Sequence, residues 1–403
     1  MRQLPSTRRT LIALAVALLL PTVTAPAAHA DNRVGDQRYL DAMKAEEMWK
    51  VSQGEGVTIA VVTVHGRQSL PELEGRMLPT KRFDPSAESP ASSYGDSMAS
   101  LIAGTGAGGG IKGLAPKAKI LPIDIAGKDA VAAYGHLPRA VDYAVDKGAK
   151  IITIPFSTPE AHLIPRKTQA AVHRAHRKGV LMFAASGDDG TEAFVENYPA
   201  VLPGVVRVGA TDENGEQAEF STSGSGLTLA APGTGITTLD EDGSYQTGSG
   251  GTGSATALTS AAAALIWAEN PQWTGNQVLR TMIHTADRSR SAPTERLGYG
   301  AIRPHKVLLD NEGNPGAPDT HPTFASYYAR LDADAAEATA DTKDTDATLL
   351  AGAGLVAGLL LAAATLYSRR RHRSPGAEPA GQIDELTVIE LAPHPDAQDR
   401  ART

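Results

Sequence analysis

The side chains that could do chemistry in this sequence fit few of the common ligand and cofactor patterns. Cysteine is absent, which excludes a thiolate metal site, a Cys nucleophile and a disulfide framework. The glycine-rich stretch from Gly106 to Gly110 lacks the Lys-Ser/Thr ending of a phosphate-binding loop. Four histidines show no metal-binding spacing with carboxylates: His136, His162, His173 and His176. We therefore expect no metal and no cofactor, and interpret His173 with Arg177, and Arg174 with Lys178, as a solvated helix face.

The overall composition is that of an ordinary globular protein without a nucleic-acid partner. Apolar residues make up 41% of the 403 residues and charged residues 21%. The formal net charge is −7, so nothing suggests the basic face that binds nucleic acid. The length allows one large domain with additional segments at its ends.

The N-terminal 30 residues have the pattern of a secretory signal peptide. Arg2, Arg8 and Arg9 precede an apolar run from Leu11 to Leu20, and Ala28-His29-Ala30 forms an A-x-A cleavage site. The alternative is an N-terminal membrane anchor, but the run is short for a membrane span. We predict that residues 1–30 are removed after export.

A second apolar run, Ala347 to Tyr367, is uncharged and long enough to cross a bilayer. Four arginines follow it at once, which predicts a cytoplasmic C-terminal tail over 368–403 and a large domain outside the cell membrane. A buried core helix is the alternative. Gly354 and Gly358 form a G-x-x-x-G pattern that permits close helix packing, but the sequence leaves the oligomeric state open.

Between these ends, apolar strand-like runs alternate with helix-like segments. Helical patterns cover Leu137–Lys147 and Arg166–Lys178. This alternation predicts an α/β fold with a mostly parallel sheet covered by helices on both faces. Several of the runs are continuously apolar, as buried parallel strands are: Thr58–Val62, Ile120–Ile125, Ile151–Ile154, Val180–Ala185, Val205–Gly209 and Leu227–Ala231. The predicted domain spans 31–313, and a polar, partly acidic linker spans 314–346.

The domain resembles the subtilisin-like serine peptidases, the subtilases. Matching segments occur in the family's order over most of the domain, which implies a subtilisin-like three-layer fold. They include Gly56-Val57-Thr58-Ile59-Ala60-Val61-Val62, Gly113-Leu114-Ala115-Pro116-Lys117-Ala118, Asn197-Tyr198-Pro199-Ala200 and Ala230-Ala231-Pro232-Gly233. With its predicted signal peptide, transmembrane helix and basic tail, the chain is similar to the mycosins, the membrane-anchored subtilases of type VII secretion. It departs from them in lacking the cysteines that they often carry.

The resemblance places the family's catalytic Asp, His and Ser at Thr63, Tyr94 and Gly253. A threonine hydroxyl cannot carry the charge that orients an imidazolium. Tyrosine, with a reference pKa near 10, is a poor base at neutral pH. Glycine has no nucleophile. Asp188 stands at the asparagine of the oxyanion loop, where a carboxylate repels a developing oxyanion.

The segment that implies a substrate-binding groove, Pro155-Phe156-Ser157, also departs from the family pattern. Pro155 has no N–H, and Ser157 carries a side chain where the family has glycine. These departures predict a membrane-anchored pseudopeptidase that binds or scaffolds a protein or peptide partner outside the membrane, with a type VII secretion system as the setting that the resemblance implies.

Two alternatives stay open at this point. In the first, a displaced set of Ser254, His65 and Asp96 restores an active serine endopeptidase with a non-standard site. We instead expect surface or helix-start roles for these three residues. In the second, Tyr94, Asp188 and Asp96 form a repurposed site for a small ligand or another reaction.

Overall fold

The computed structural model describes residues 37–64, 70–87, 93–190, 195–240, 242–287 and 292–333. The predicted signal peptide, transmembrane helix and tail, and His65, lie outside these residues. The chain divides into two compact units, Met1–Tyr328 and Ala329–Thr403, and the architecture below is that of the first. Within the described ranges, no helix has the length and apolar character needed to cross a membrane.

A seven-stranded sheet forms the centre of the domain, and all its strand pairings are parallel. The strand order is β2-β3-β1-β4-β5-β6-β7. These strands are β1 (Thr58–Thr63), β2 (Lys81–Arg82), β3 (Lys119–Asp124), β4 (Ile151–Ile154), β5 (Leu181–Ala185), β6 (Val206–Thr211) and β7 (Leu227–Pro232). The expected parallel α/β sheet is confirmed.

Helices cover both faces of this sheet, because alternate residues of each strand face opposite sides. Ile59 and Val61 of β1 belong to one core, and Ala60 and Val62 belong to the other. The first core contains residues of α1 (Arg38–Ala42), α2 (Ala45–Met48), α3 (Tyr94–Ala103), α7 (Thr252–Glu269), α8 (Gly275–Thr285) and α9 (Pro304–Leu308). The second contains residues of α5 (Leu137–Asp146) and α6 (Lys167–Arg177), while α4 (Ala130–Gly135) has no buried residue.

The structure adds elements that the sequence patterns did not indicate. The edge strand β2 has only two residues, too few for a periodic pattern. An antiparallel hairpin, β8 (Ile236–Leu239) with β9 (Tyr245–Ser249), lies outside the main sheet. Beyond these, short 3-10 turns occupy Pro71–Leu73, Ala107–Gly109 and Ala161–Leu163.

The first unit extends past the predicted boundary at residue 313. Arg280 of α8 donates hydrogen bonds to the carbonyl oxygens of Pro315 and Ala317, the second at 2.7 Å. Further along, Tyr328 is buried, with 6% of its surface exposed. Residues 314–328, predicted as the start of a linker, therefore pack on the domain because backbone carbonyls and an aromatic ring give them partners there.

Candidate functional site

Several of the predicted site residues lie where parallel strands end. Strand β1 ends at Thr63, β4 is followed by Pro155, and β5 is followed by the Ser186–Asp188 loop. Because parallel strands end at a common edge, this edge is where α/β proteins build their sites. Helices α3 and α7, which carry Tyr94 and Gly253 in their first turns, pack against each other and begin at the same edge.

The structure brings Tyr94, Pro155 and Gly253 into contact. The Tyr94 hydroxyl donates a short hydrogen bond to the Pro155 carbonyl oxygen. A Cβ atom at Gly253 would collide with both of these oxygens and would lie 3.2 Å from Cζ of Tyr94. The space that a side chain at position 253 needs is thus already occupied by the phenol and the backbone of the segment after β4.

The Tyr94 hydroxyl is held in its neutral form. Burial of the hydroxyl raises its pKa well above the usual value, and the negative charge of Asp188 raises it further. The residue as a whole is 39% exposed, whereas its hydroxyl is buried and bonded to the Pro155 carbonyl. A phenol with a raised pKa that is already donating a hydrogen bond cannot accept a proton at neutral pH.

Asp188 places its carboxylate on the N-terminus of α7. Its Oδ1 accepts the Thr252 backbone N–H at 2.9 Å and the Thr252 hydroxyl at 2.8 Å. The residue before the helix, Gly251, has no side chain with which to cap it, and a Cβ there would lie 2.9 Å from Asp188 Oδ2. A negative charge at a helix N-terminus is stabilised by the unpaired N–H groups and the helix dipole. This helix end is therefore occupied by a carboxylate of the chain itself.

Thr63 is buried beside a carboxylate that our sequence reasoning missed. It pairs in register with Asp124 of β3, so the two side chains lie on the same face of the sheet. Asp124 is fully buried, and its carboxylate forms an ion pair with Arg82 at 2.7 Å and accepts the Ala126 N–H at 2.9 Å. The signal in the sequence was one acidic residue inside the apolar run Ile120–Ile125.

Two residues of the displaced set, Ser254 and Asp96, are buried at the starts of different helices. Ser254 and Asp96 each lie in the first turn of their helices, α7 and α3, and are 2% and 3% exposed. The helix-start role matches both residues, but the expected surface position does not, because α3 and α7 are packed into the first core. His65 lies outside the described residues, so the set as a whole stays a prediction.

The segment predicted to line a substrate groove is engaged with other parts of the domain. Phe156 is half-buried, and its ring centroid lies 5.6 Å from that of Tyr134. One residue beyond the half-buried Ser157, Thr158 exchanges backbone hydrogen bonds with Tyr198 at 2.9 and 2.8 Å. An isolated antiparallel bridge therefore joins the chain to Tyr198 directly after this segment. Its role as a groove stays a prediction.

The histidines of α6 are less exposed than the predicted solvated helix face implied. His173 and His176 are half-buried, and both stack on Tyr328, with ring centroids 5.5 and 3.7 Å away. Only the basic residues Arg174, Arg177 and Lys178 of that pattern are exposed. Among the residues that the structure describes, no group of three or more His, Asp or Glu side chains could hold a metal ion.

Comparisons with known proteins agree with this fold. Residues 54–300 match the model of the subtilase family, peptidase S8. The chain is 31% identical over 254 residues to subtilisin BL of Lederbergia lenta, covering 62% of this chain and 89% of that protein. It is also 31% identical over 197 residues to thermitase of Thermoactinomyces vulgaris, covering 48% of this chain and 69% of that protein.

Solved structures of mycosins are similar in fold. The MycP3 protease from the type VII (ESX-3) secretion system superposes with a TM-score of 0.60 at 26% identity, covering 70% of this chain and 90% of that one. MycP1, described as a serine protease and an essential component of the type VII (ESX-1) secretion system, gives a TM-score of 0.59 at 26% identity, with 71% and 90% covered.

Proposed function

The chain belongs to the subtilase family, and from that premise we propose that it is a membrane-anchored, extracytoplasmic pseudopeptidase. Its α/β domain binds or scaffolds a protein or peptide partner and does not cleave it. Fold alone does not determine function, so the proposal depends on the chemistry of the site.

One observation carries the proposal. The Tyr94 hydroxyl, bonded to the Pro155 carbonyl, occupies the space beside Gly253 that a nucleophilic side chain would need. Asp188 supports the same conclusion, since its carboxylate lies on the N-terminus of α7. Loss of a triad nucleophile or base costs about a million-fold in turnover, and loss of one oxyanion donor costs roughly a hundred- to a thousand-fold.

The setting of the proposed function is a type VII secretion system. Support comes from the likeness to MycP3 and MycP1, which are described as proteins of such systems. The predicted signal peptide and the apolar run Ala347 to Tyr367 support an anchored protein with its domain outside the cell. In this setting the partner is a component or a substrate of the secretion complex.

The second candidate function is an active serine endopeptidase with a non-standard site. The 31% identity to subtilisin BL and the intact sheet favour it, because the scaffold of an active enzyme is present. The nucleophile in this case is Ser254. Against it, Ser254 is buried within the first turn of α7, and Gly253 is the residue in contact with Tyr94.

A fluorophosphonate probe, which labels activated serines, separates the two candidates. Full-length protein, its Ser254→Ala variant and subtilisin BL are treated in parallel, and peptide hydrolysis is measured on the same samples. We expect no label on the native chain, and turnover about a million-fold below that of subtilisin BL. A labelled native chain whose label disappears in Ser254→Ala establishes the peptidase. Label on any other residue also contradicts the pseudopeptidase.

The binding role has its own test, in which the full-length protein is recovered from membranes of its source organism after mild cross-linking. We expect type VII membrane components or substrates among the captured proteins. The variant Phe156→Ala, which alters the predicted groove and is checked for folding because Phe156 packs against the second core, should recover less partner. Equal recovery by both proteins would exclude the groove as the contact surface.

A further inference from the structure

One surface of the domain has a charge opposite to that of the whole chain. We define the α6 basic face as five exposed side chains on or next to this helix: Arg166, Lys167, Arg174, Arg177 and Lys178. Residues 166–178 contain no acidic side chain, although the chain as a whole has 45 acidic and 38 basic residues. The segment is therefore a concentrated positive patch on an acidic protein.

The packing of α6 fixes the direction of this patch. Ala171, Val172 and Ala175 are fully buried in the second core. Burial of this stripe fixes the rotation of the helix about its axis, and the five basic side chains are exposed on the remainder of its surface, with Arg166 and Arg177 opposite the stripe and the other three beside it. The patch cannot turn inward without exposing that core.

Acidic neighbours neutralise only part of the patch. Arg174 forms a bidentate ion pair with Asp142 of α5, with N–O distances of 2.7 and 2.8 Å. The next acidic residue of α5 is Asp146, at the end of that helix. In the described ranges, no carboxylate lies within ion-pairing distance of the other four residues of the face. Four positive charges thus remain available to a ligand.

The chain leaves the first unit beside the same helix. The Tyr328 ring stacks on His176 of α6 with centroids 3.7 Å apart, and the Tyr328 hydroxyl packs against Gly204. Residues 329–346 then separate this point from the predicted transmembrane segment at Ala347. At full extension they span at most about 60 Å, so α6 is attached to the membrane by a short tether.

We propose that the α6 basic face binds the anionic phospholipid headgroups of the membrane in which the chain is anchored. This inference depends on the membrane anchoring in the proposed function and not on the loss of peptidase activity. A basic residue near an anionic membrane surface contributes roughly five-fold to binding, and four such residues together contribute about several hundred-fold. Docking through α6 fixes the orientation of the sheet edge that carries the predicted partner site.

The test measures the distance between α6 and the bilayer in reconstituted full-length protein. Because the chain has no cysteine, Ala170→Cys on the exposed side of α6 accepts a single fluorophore from a membrane-impermeant maleimide. Glu46→Cys on α2, across the sheet, is the matched control. Energy transfer to an acceptor-labelled lipid is measured in vesicles of phosphatidylcholine alone and in vesicles that also contain phosphatidylglycerol.

We expect transfer from the fluorophore of the Ala170→Cys variant, but not from that of the Glu46→Cys variant, to rise when phosphatidylglycerol is present. The rise should disappear when Arg166→Gln, Lys167→Gln, Arg177→Gln and Lys178→Gln are added, and at about 1 M salt, where charges are screened beyond roughly 3 Å. Equal transfer in both vesicle types, or a rise that the glutamine variant retains, overturns the proposal. Salt-sensitive transfer that is independent of lipid charge identifies the acidic residues 332–346, or another acidic segment, as the occupant and also overturns it.

The experiment distinguishes failure of the proposed lipid contact from failure of the proposed membrane anchoring. Protein that is extracted from the vesicles by an alkaline wash has no membrane anchor, which overturns both the anchoring and the lipid contact. Protein that stays in the vesicles without the lipid-dependent transfer loses only the lipid contact. Peptidase activity in the proteoliposomes bears on the pseudopeptidase alone.

Discussion

Helices α7 and α8 follow one another in the chain, yet their N-termini are satisfied in different ways. Helix α8 is capped by its own sequence: the Thr274 hydroxyl accepts the Gln277 N–H at 3.3 Å, and the Gln277 side chain accepts the Thr274 N–H at 3.0 Å. Helix α7 begins after Gly251, and the Asp188 carboxylate, from the loop after β5, accepts its first N–H. The first arrangement is a local capping box, and the second is a long-range contact.

The difference between the two helices concerns which group accepts the free N–H groups at the start of α7. An uncapped helix N-terminus at the edge of a parallel sheet offers N–H groups to an anion. In this chain the anion is Asp188, and the neighbouring space is occupied by Tyr94 and the Pro155 carbonyl. The helix start that the family resemblance assigns to chemistry therefore makes internal contacts, as the start of α8 does.

The largest expected effect is the loss of stability caused by Gly253→Ala. Replacing a helical glycine with alanine normally stabilises a helix by up to about 1 kcal/mol. Here the added methyl group collides with the Tyr94 hydroxyl and the Pro155 carbonyl, so we expect a loss of about 2–3 kcal/mol in the free energy of unfolding. The matched control is Gly135→Ala in α4, where the added methyl meets nothing within 4 Å. Urea denaturation of both variants measures the contrast.

The double variant Tyr94→Ala with Gly253→Ala identifies the source of that loss. Removing the phenol relieves one of the two collisions, and we expect a favourable coupling of about 1 kcal/mol between the positions. Additive effects of the two substitutions, or a Gly253→Ala variant as stable as Gly135→Ala, would show that the phenol does not occupy the space beside residue 253.

The next prediction compares substitutions at the starts of α7 and α8. Asp188→Ala removes a charged acceptor from α7 and should lower the free energy of unfolding by about 1 kcal/mol, because Asp188 is exposed and water weakens its interaction with the helix. Thr274→Ala removes the local cap of α8 and should cost about 1 kcal/mol. Salt distinguishes the two variants, because added salt should reduce the loss of stability caused by Asp188→Ala but not the loss caused by Thr274→Ala. Equal salt dependence of the two variants contradicts a charged cap on α7.

The smallest effect concerns a third helix start, at residue 325, which has an imidazole as its cap. His321 Nδ1 accepts the N–H groups of Thr323 and Phe324 at 3.2 and 3.1 Å. Burial, with the positive charges of His176 and Arg280, lowers the pKa of His321 to about 3. The folded state therefore binds fewer protons than the unfolded state between about pH 3 and 6.5. As the pH falls through that range, protonation of His321 in the unfolded state lowers the free energy of unfolding.

We expect the free energy of unfolding to drop by about 1 kcal/mol between pH 6.5 and pH 5.5 because of His321. The control is His321→Gln, which keeps a hydrogen-bond acceptor without titrating. Its unfolding free energy should depend less on pH by that amount. The same pH slope in both proteins would exclude His321 as the titrating group.

The interior of the fold was largely predictable from sequence. The run Ile151–Ile154 is a strand with the bounds that its pattern indicated, and Leu137–Lys147 differs from α5 by one residue. Continuous burial requires continuous apolar character, so such elements leave a clear pattern. The short strand β2 and the hairpin β8–β9 could not be predicted in this way, because their stability comes from neighbours distant in the sequence.

The site was predictable in position but not in its contacts. The family resemblance indicated Tyr94, Asp188 and Gly253 as site positions, and the structure brings each of them to one edge of the sheet. The hydrogen bond from Tyr94 to Pro155 and the cap that Asp188 gives to α7 join residues roughly 60 positions apart, and no local pattern encodes them. The attachment of residues 315–317 to the domain likewise depends on the distant Arg280.

The central claim is that the scaffold is intact and that its site lacks only the chemistry. The most direct measurement is fluorophosphonate labelling of the native chain beside a revertant with Thr63→Asp, Tyr94→His, Gly253→Ser and Asp188→Asn. A variant with Gly253→Ser alone accompanies them and should stay unlabelled, because Tyr94 still occupies the space beside residue 253. We predict a silent native chain and a labelled four-site revertant. Label on the native chain, or a folded revertant that stays silent, would contradict the claim.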